Sequence, residues 1–201
     1  MRRLLAPSPS GALTPSSSAL WSSYQSECGG SYLEEAAFAV ERVMCLPHAA
    51  TLQGRLKGAT PSWRDTLARA SPDAPCGAPS VLVVSSAALR VLELIRQLPD
   101  FHRAVPVAKL FSKHIKVKEQ ADALASAQVC VAVGTPARLD KLCALGALSL
   151  SRLTLLVIDC SRDVKQRSLL DIPETRRDLW ALWRAHLGAV VARQCRVALV
   201  E

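Results

Sequence analysis

A chain of 201 residues is long enough for one ordinary domain with a tail, and its 50% hydrophobic content is enough to bury a sizeable core. No apolar run reaches the ~18 residues that cross a bilayer, so the composition predicts no contact with a membrane. The formal net charge is +8, and residues 81–201 hold eighteen Lys and Arg against eleven Asp and Glu. A basic folded region favours a polyanionic partner such as nucleic acid, although charge alone does not separate this from an ordinary basic protein.

The cysteines and histidines show no organised spacing. The seven cysteines stand at positions 28, 45, 76, 130, 143, 160 and 195, without a CxxC pair, and the four histidines are equally scattered. Zinc sites and disulfide frameworks both need regular spacing, so the pattern predicts neither. We expect reduced cysteines that act as small core residues in an intracellular protein, with no metal site.

The first 80 residues are predicted to form a disordered tail and a segment that precedes the main domain. Residues 1–30 are rich in Ser, Pro and Gly, which predicts disorder. The early prolines argue against a secretory signal. Residues 31–80 are predicted to be helical and loop-rich, with a helix over 32–44 and a short helix over 63–70 between clusters of Pro and Gly.

From residue 81 onward, short apolar strands alternate with helical patterns. The predicted strands cover residues 80–86, 105–110, 128–134, 152–159 and 195–200. The predicted helices cover residues 87–98, 117–127, 136–146 and 173–188, the last of them beginning at Pro173 and ending at Gly188. This alternation predicts a single α/β domain over residues 81–201, with a parallel sheet and helices on both faces. Ligands of such sheets bind at the carboxyl ends of the strands.

Two segments at that edge carry candidate RNA-binding residues. In "VAVGTPARL", Thr135 can cap the next helix, Pro136 suits its first position and Arg138 lies in its first turn, so that a backbone phosphate could bind there. A well-formed helix start without a ligand is the alternative. The second segment, "KLFSKHIKVK", contains no acid and supplies cations for phosphates from Lys109, Lys113, Lys116 and Lys118. A solvated basic loop is its alternative.

A third segment, residues 161–177, mixes basic and acidic side chains. It is either a charged surface connection or a face on which a protein docks, and the sequence does not separate the two.

The strand "LLVID" brings Asp159 to the edge where a nucleotide-hydrolysing sheet places an acid. The next residue is Cys160 rather than a second carboxylate, and no GxxxxGK[ST] motif occurs. "GRLKGAT" at residues 54–60 has the glycines and lysine in the wrong order and no predicted strand before it. ATP hydrolysis needs the phosphate loop, its lysine and a metal-holding acid. We therefore interpret Asp159 as a vestigial acid and predict no catalytic residues, no cofactor, no small-molecule substrate and no enzyme activity.

At these motifs the chain resembles the first RecA-like domain of DEAD-box RNA helicases. It is more closely similar to the Cms-type small-ribosomal-subunit biogenesis family, DEAD-box-like proteins that lack the ATPase motifs. The similar segments are residues 86–96, "KLFSKHIKVKEQ", "VGTPARL", "GALSL" and "DIPE", and they lie within residues 81–201.

The resemblance implies a RecA-like fold without its nucleotide loop, and a nuclear, nucleolar factor that associates with pre-ribosomal proteins. It implies binding of pre-rRNA or small nucleolar RNA without unwinding. Thr135, Pro136 and Arg138 fall on the helicase TPGR element, with Ala137 in place of its glycine. The long charged N-terminal tail and the tryptophans after the acid, both typical of the family, are missing here. The alternatives are a protein-only interaction module and a diverged ATPase.

Overall fold

The computed structural model describes residues 15–35, 38, 42–60, 62–65, 73–104 and 106–200. Its centre is a six-stranded, wholly parallel sheet with the strand order β1-β6-β5-β2-β4-β3. The strands are β1 Val43–Cys45, β2 Val81–Val84, β3 Ala108–Leu110, β4 Val131–Gly134, β5 Leu155–Asp159 and β6 Arg196–Val200. The prediction of an α/β fold built on one parallel sheet is confirmed.

Helices cover both faces of this sheet. They are α1 Pro15–Cys28, α2 Tyr32–Glu35, α3 Leu52–Ala59, α4 Ala88–Arg96, α5 Pro99–Ala104, α6 Val117–Ser126, α7 Pro136–Ala144, α8 Pro173–Leu182 and α9 Gly188–Arg193. Strands β2, β4 and β5 are buried along their whole length, because helices pack on both sides of them. One core joins the sheet to α1, α7 and α8, and the other joins it to α3, α4 and α5. Burial on both faces explains why these strands are continuous apolar runs rather than alternating ones.

Helix α1 differs from the expected disorder of residues 1–30. Its residues Leu20, Trp21 and Tyr24 are buried against Phe38 and Trp180. The indole Nε1 of Trp180 also donates a hydrogen bond to a serine hydroxyl of α1 at 3.1 Å. The helix therefore depends on tertiary burial rather than on its own propensity, which composition does not report. Residues 1–14 lie outside the described part of the chain, and the division into three regions stays a prediction.

The helix predicted over residues 32–44 is wrong at its end. Val43–Cys45 is the edge strand β1, which pairs in parallel with β6. Arg42 fixes this pairing: its carbonyl accepts from Val197 N at 2.7 Å, and its guanidinium donates to Val191 O at 2.9 Å. Pairing with the last strand of the chain overrides the local helical spacing. The helix predicted over 63–70 lies largely outside the described residues.

The expected helix end at Gly188 is also wrong. The chain passes through a π-helical turn, Trp183–Leu187, and continues as α9 to Arg193. A Cβ atom at Gly188 would lie 3.2 Å from Trp183 Nε1 and 3.3 Å from its carbonyl oxygen. The glycine therefore serves close packing beneath Trp183 rather than termination of the helix.

Candidate nucleic-acid interface

The carboxyl ends of the strands bring the predicted residues to one edge of the sheet. Neighbouring strand ends are bonded to each other there: Ser85 N donates to Gly134 O at 2.9 Å, and Thr135 N donates to Leu110 O at 3.0 Å. A Cβ atom at Gly134 would lie 2.5 Å from Leu110 O, so only glycine allows β3 and β4 to end so close together. The start of α7 is thereby held against the first residues of the lysine-rich segment 109–118.

Asp159 lies at this edge, but it faces inward and is only 2% exposed. One carboxylate oxygen accepts from Ser85 Oγ at 3.0 Å and from Arg90 Nε at 2.9 Å. The other accepts from Ser161 Oγ at 2.7 Å and from Arg90 Nη2 at 3.3 Å. Four bonds fill the acceptor capacity of a carboxylate. A metal ion or a water molecule could bind this acid only by displacing one of these donors.

Arg90, on α4, is the cation that this buried acid requires. Its guanidinium also donates to Ser161 Oγ at 3.0 Å and to Glu93 Oε2 at 3.1 Å. The hydrogen bond to the Asp159 carboxylate is the main reason why the pKa of Arg90 lies above its ordinary value. Arg90 and Asp159 therefore form a hydrogen-bonded salt bridge at this edge of the sheet.

The connection after β1 is the place where a phosphate loop would be expected in such a sheet. The sequence predicts no strand before "GRLKGAT", and this is wrong, since β1 precedes it. The connection "LPHAAT" nevertheless contains no glycine. Two of the first three N–H groups of α3 are already used, because Leu52 N donates to Gln97 Oε1 at 2.8 Å and Gly54 N donates to Thr51 Oγ1 at 3.2 Å. Lys57 lies in the last turn of α3 and pairs with Asp100.

We call residues 109–118, the segment "KLFSKHIKVK", the basic loop. Two buried side chains hold its backbone. Gln120 Nε2 donates to Lys109 O at 2.7 Å and to Phe111 O at 3.1 Å. Arg138 donates from both Nη atoms to Ile115 O, each at 3.0 Å, and from Nη1 to Gln120 Oε1 at 2.6 Å. Gln120 and Arg138 together fix the start and the end of the loop, and we call this pair the clamp.

This placement of Arg138 differs from the predicted one. The side chain is only 8% exposed, and its donors bind protein carbonyl and amide oxygens rather than facing solvent. An arginine in the first turn of an amphipathic helix would ordinarily reach outward. Here the Ile115 carbonyl and the Gln120 amide would be left unpaired without it, and an unpaired buried polar group is costly.

The four lysines of the basic loop are all exposed, as the sequence predicts for groups that bind phosphates. None of them forms an ion pair with any carboxylate in the described ranges. His114, at the exposed tip between Lys113 and Lys116, has a φ of 62°, in the left-handed region that residues other than glycine seldom adopt. The loop thus presents lysines from a fixed and locally strained backbone.

The two other predicted residues lie beside this loop. Thr135 is half-buried at the N-cap of α7, without a hydrogen bond from its side chain to the helix. Pro136 is buried at the first helical position, while Ala137 after it is exposed. The structure therefore brings Thr135, Pro136, the clamp and the lysines together. It places Asp159 apart from them, on a strand separated from β3 by β2 and β4.

Sequence reasoning missed Gln120 and Arg90. A signal for each exists in retrospect. Gln120 stands four residues before Leu124 on the buried face of α6, where a polar side chain needs a partner. Asp159, at the end of an otherwise apolar strand, needs a cation when it is buried. Neither signal says which residue is the partner.

Other features of the described residues add little chemistry. No group of three His, Cys, Asp or Glu side chains among them could hold a metal ion. None of the helices that can be described is long and apolar enough to cross a membrane. Burial raises the pKa of the Cys143 and Cys195 thiols to about 12, which keeps them protonated at neutral pH.

Comparisons with known proteins point to one family. The model of a family described as "CMS1: U3-containing 90S pre-ribosomal complex subunit" matches residues 61–195. Human Protein CMSS1 is 45% identical over 103 residues, which are 51% of this chain and 37% of the human protein. Protein CMS1 of Chaetomium thermophilum is 43% identical over 105 residues, which are 51% of this chain and 42% of that protein. The chain thus spans less than half the length of these curated relatives.

Proposed function

Since this chain belongs to the CMS1 family, we propose that it is a non-catalytic, RecA-like RNA-binding module of a small-subunit pre-ribosomal complex. Its RNA would be pre-rRNA or small nucleolar RNA, its other partners pre-ribosomal proteins, and its location the nucleolus. The family description, a subunit of the U3-containing 90S complex, supports the setting. The contact with RNA is our inference from the basic loop.

One observation carries the proposal: the basic loop holds four exposed lysines without an acid partner on a backbone fixed by the clamp. Lysines that neutralise phosphates release condensed counterions, and this release drives most non-specific nucleic-acid binding. A fixed backbone lowers the entropy that is lost when the loop meets its ligand. Lys109, Lys113, Lys116 and Lys118 would supply this electrostatic attraction, with no demand on base sequence.

We assign Arg138 a positioning role in this mechanism. It holds Ile115 and Gln120, so that it acts on RNA through the shape of the basic loop and not as a phosphate ligand. Thr135 and the exposed Ala137 lie beside the loop, and we propose that they border the path of the RNA backbone. Pro136 pre-forms the first turn of that helix.

The proposal excludes catalysis for a structural reason. An ATPase needs an acid that can bind metal, and the Asp159 carboxylate already accepts four hydrogen bonds. It also needs free N–H groups at the start of the helix after the first strand, and two of the first three in α3 are bonded to Gln97 and Thr51. We therefore propose that Asp159 is a structural acid and that ATP does not affect RNA binding.

The test is binding to a fluorescent single-stranded RNA by the Lys113→Glu/Lys116→Glu variant. The matched control is Lys141→Glu/Arg193→Glu, which makes the same charge change at exposed positions in the last turns of α7 and α9, at the opposite edge of the sheet. At 100 mM salt we expect at least a tenfold loss of affinity for the first variant and about a twofold loss for the control.

Equal losses in the two variants would contradict the proposal and favour general charge attraction. Absence of RNA binding by the wild type would leave the protein-only interaction module. An RNA affinity that changes on addition of ATP and Mg²⁺ would contradict the non-catalytic assignment. The double variants are compared by thermal unfolding first, so that a loss of fold is not read as a loss of contact.

A further inference from the structure

The connection between β5 and α8 carries a second exposed feature that RNA binding does not use. We define the Val164 loop as residues 162–167, "RDVKQR". Val164 is 98% exposed, against 65% for Leu89 and 62% for Leu145, the other large exposed apolar side chains among the described residues. Single exposed apolar residues are common on protein surfaces. Val164 differs because hydrogen bonds within the loop fix the backbone that carries it.

Asp163 organises this loop from within. One carboxylate oxygen accepts from Lys165 N at 2.8 Å and from Arg167 N at 2.9 Å. The other accepts from Arg167 Nε at 3.1 Å and Nη2 at 2.8 Å. The backbone N–H of Arg167 is the largest cause that holds the pKa of Asp163 below its ordinary value. The acid therefore stays ionised and bonded at physiological pH.

The two sides of the loop are also bonded to each other. Asp163 N donates to Arg167 O at 2.9 Å, and Arg162 Nη1 donates to Gln166 O at 2.7 Å. Gln166 has a φ of 59°, a left-handed conformation that a residue other than glycine adopts only when its surroundings hold it there. The base is fixed in turn, since Ser168 N and Oγ both donate to Asp171 Oδ2 at 2.8 Å.

This geometry has a consequence for binding. A valine on a mobile loop would lose conformational entropy when it enters a partner, whereas the Val164 loop has already lost it on folding. The loop also carries a net positive charge, because Lys165 beside the tip is exposed and the charge of Asp163 is paired with Arg167. Arg162 is exposed as well and lies 3.9 Å from Asp171 at the base of the loop. An apolar tip with a cationic rim is complementary to an apolar socket with an acidic rim.

We propose that the Val164 loop is a protein-docking knob, which inserts Val164 into an apolar socket bordered by acidic side chains on a protein of the pre-ribosomal particle. A protein is favoured over RNA because the tip is aliphatic and offers no ring on which a base could stack. The identity of the particle rests on the proposed function, whereas the knob rests on the loop itself.

A cleft of about 800 Å³ lies beside the base of the knob, between α1 and the start of α8. Its walls include Ser22 and Ser26 from α1, Ser168 and Asp171 from the base of the knob, and Arg176 from α8. Arg176 is held by Glu27, to which its Nε donates at 2.9 Å. The serine hydroxyls and the charged groups in these walls would accommodate main-chain and hydroxyl groups of the partner on one side of the knob.

The test measures binding of the purified chain to purified 90S pre-ribosomal particles and, in parallel, to the single-stranded RNA probe. The variants are Val164→Asp, which brings an acid to the acidic socket, Val164→Ser, which removes the apolar contact without charge, and Arg167→Ala, which keeps Val164 but unlocks its loop. Leu145→Asp is the control, an exposed apolar residue replaced by an acid at the opposite edge of the sheet.

We expect Val164→Asp to lower particle affinity at least thirtyfold, Val164→Ser about tenfold, in keeping with the burial of one valine, and Arg167→Ala about fivefold. All four variants should keep wild-type RNA affinity within twofold. Particle binding by Val164→Asp equal to that of Leu145→Asp would overturn the inference. So would an equal loss of RNA affinity, which would make the loop an RNA contact. A wild type that binds RNA but not the particle would overturn the knob's partner and leave the RNA-binding proposal intact.

Discussion

The two polar regions at the carboxyl edge of the sheet are built in opposite ways. Around Asp159, every acceptor of the acid is used by neighbouring side chains, and the carboxylate is almost completely buried. In the basic loop, the two buried polar side chains bind the loop backbone and each other, and the lysines are left exposed. The polar groups of the first region are satisfied within the molecule, whereas the lysines of the second face solvent. This contrast supports the proposal that a fold resembling a nucleotide-hydrolysing one presents a binding surface here instead of a catalytic site.

The largest expected effect comes from breaking the hydrogen-bonded cluster around Asp159. Asp159→Asn removes the buried counter-charge of Arg90 and leaves only the exposed Glu93 carboxylate beside it. Removing one partner of a buried ion pair destabilises a protein by about 3 kcal/mol. We expect this loss in the free energy of unfolding, measured by urea denaturation. The exposed Asp122→Asn on α6 is the control and should change stability by less than about 0.5 kcal/mol.

A loss below about 1 kcal/mol for Asp159→Asn would mean that the pair is solvated and that the acid is available to a ligand. The Asp159 carboxylate would then be accessible to solvent, as the lysines of the basic loop are, and the contrast between the two regions would disappear.

A second prediction tests whether the clamp holds the basic loop in the shape that binds RNA. Arg138→Gln removes the guanidinium that holds Ile115 and should destabilise the chain by about 2 kcal/mol, because a buried carbonyl and the Gln120 amide lose their partner. RNA affinity should fall about threefold, since the loop is loosened. The slope of log affinity against log salt should stay unchanged, because a positioning residue neutralises no phosphate.

Lys141→Gln is the charge-matched control for that slope. A decrease of the slope by about 0.7 in Arg138→Gln but not in Lys141→Gln would show that Arg138 binds a phosphate directly. The placement of Arg138 as a clamp would then be contradicted in the RNA-bound state.

The smallest effect concerns the strained tip of the basic loop. Glycine at position 114 adopts a φ near 62° without the penalty that histidine has there, so His114→Gly should leave stability unchanged or raise it by about 1 kcal/mol. Lys113→Gly, at a residue without a positive φ, should lower it slightly. Thermal unfolding separates the two, and a clear loss of stability in His114→Gly would show that the histidine side chain makes contacts that hold the loop.

The contrast between the two regions also shows what a sequence reveals. Strands β2, β4, β5 and β6 were predictable because each is an apolar run that is bounded by a helical pattern. The lysines of the basic loop were predictable as exposed, since a segment rich in Lys and without acids cannot be buried.

The remaining features depend on contacts that are distant in sequence. Arg138 turns inward because of Ile115 and Gln120, which precede it by 23 and 18 positions. Arg90 and Asp159 are 69 positions apart. Helix α1 forms on aromatic residues of α8, and β1 pairs with the last strand of the chain. Local patterns carry no information on such partners, so these contacts could not be predicted from them.

The measurement that tests the central claim most directly is the salt dependence of RNA affinity when the lysines of the basic loop are neutralised together. In the quadruple variant, Lys109, Lys113, Lys116 and Lys118 are each replaced by Gln. Each lysine that binds a phosphate of a single strand contributes about 0.7 to the slope of log affinity against log salt. If all four bind, the slope should fall by about 2.8 from the wild-type value. A variant that keeps the wild-type slope would contradict the account, because RNA would then bind elsewhere on the protein.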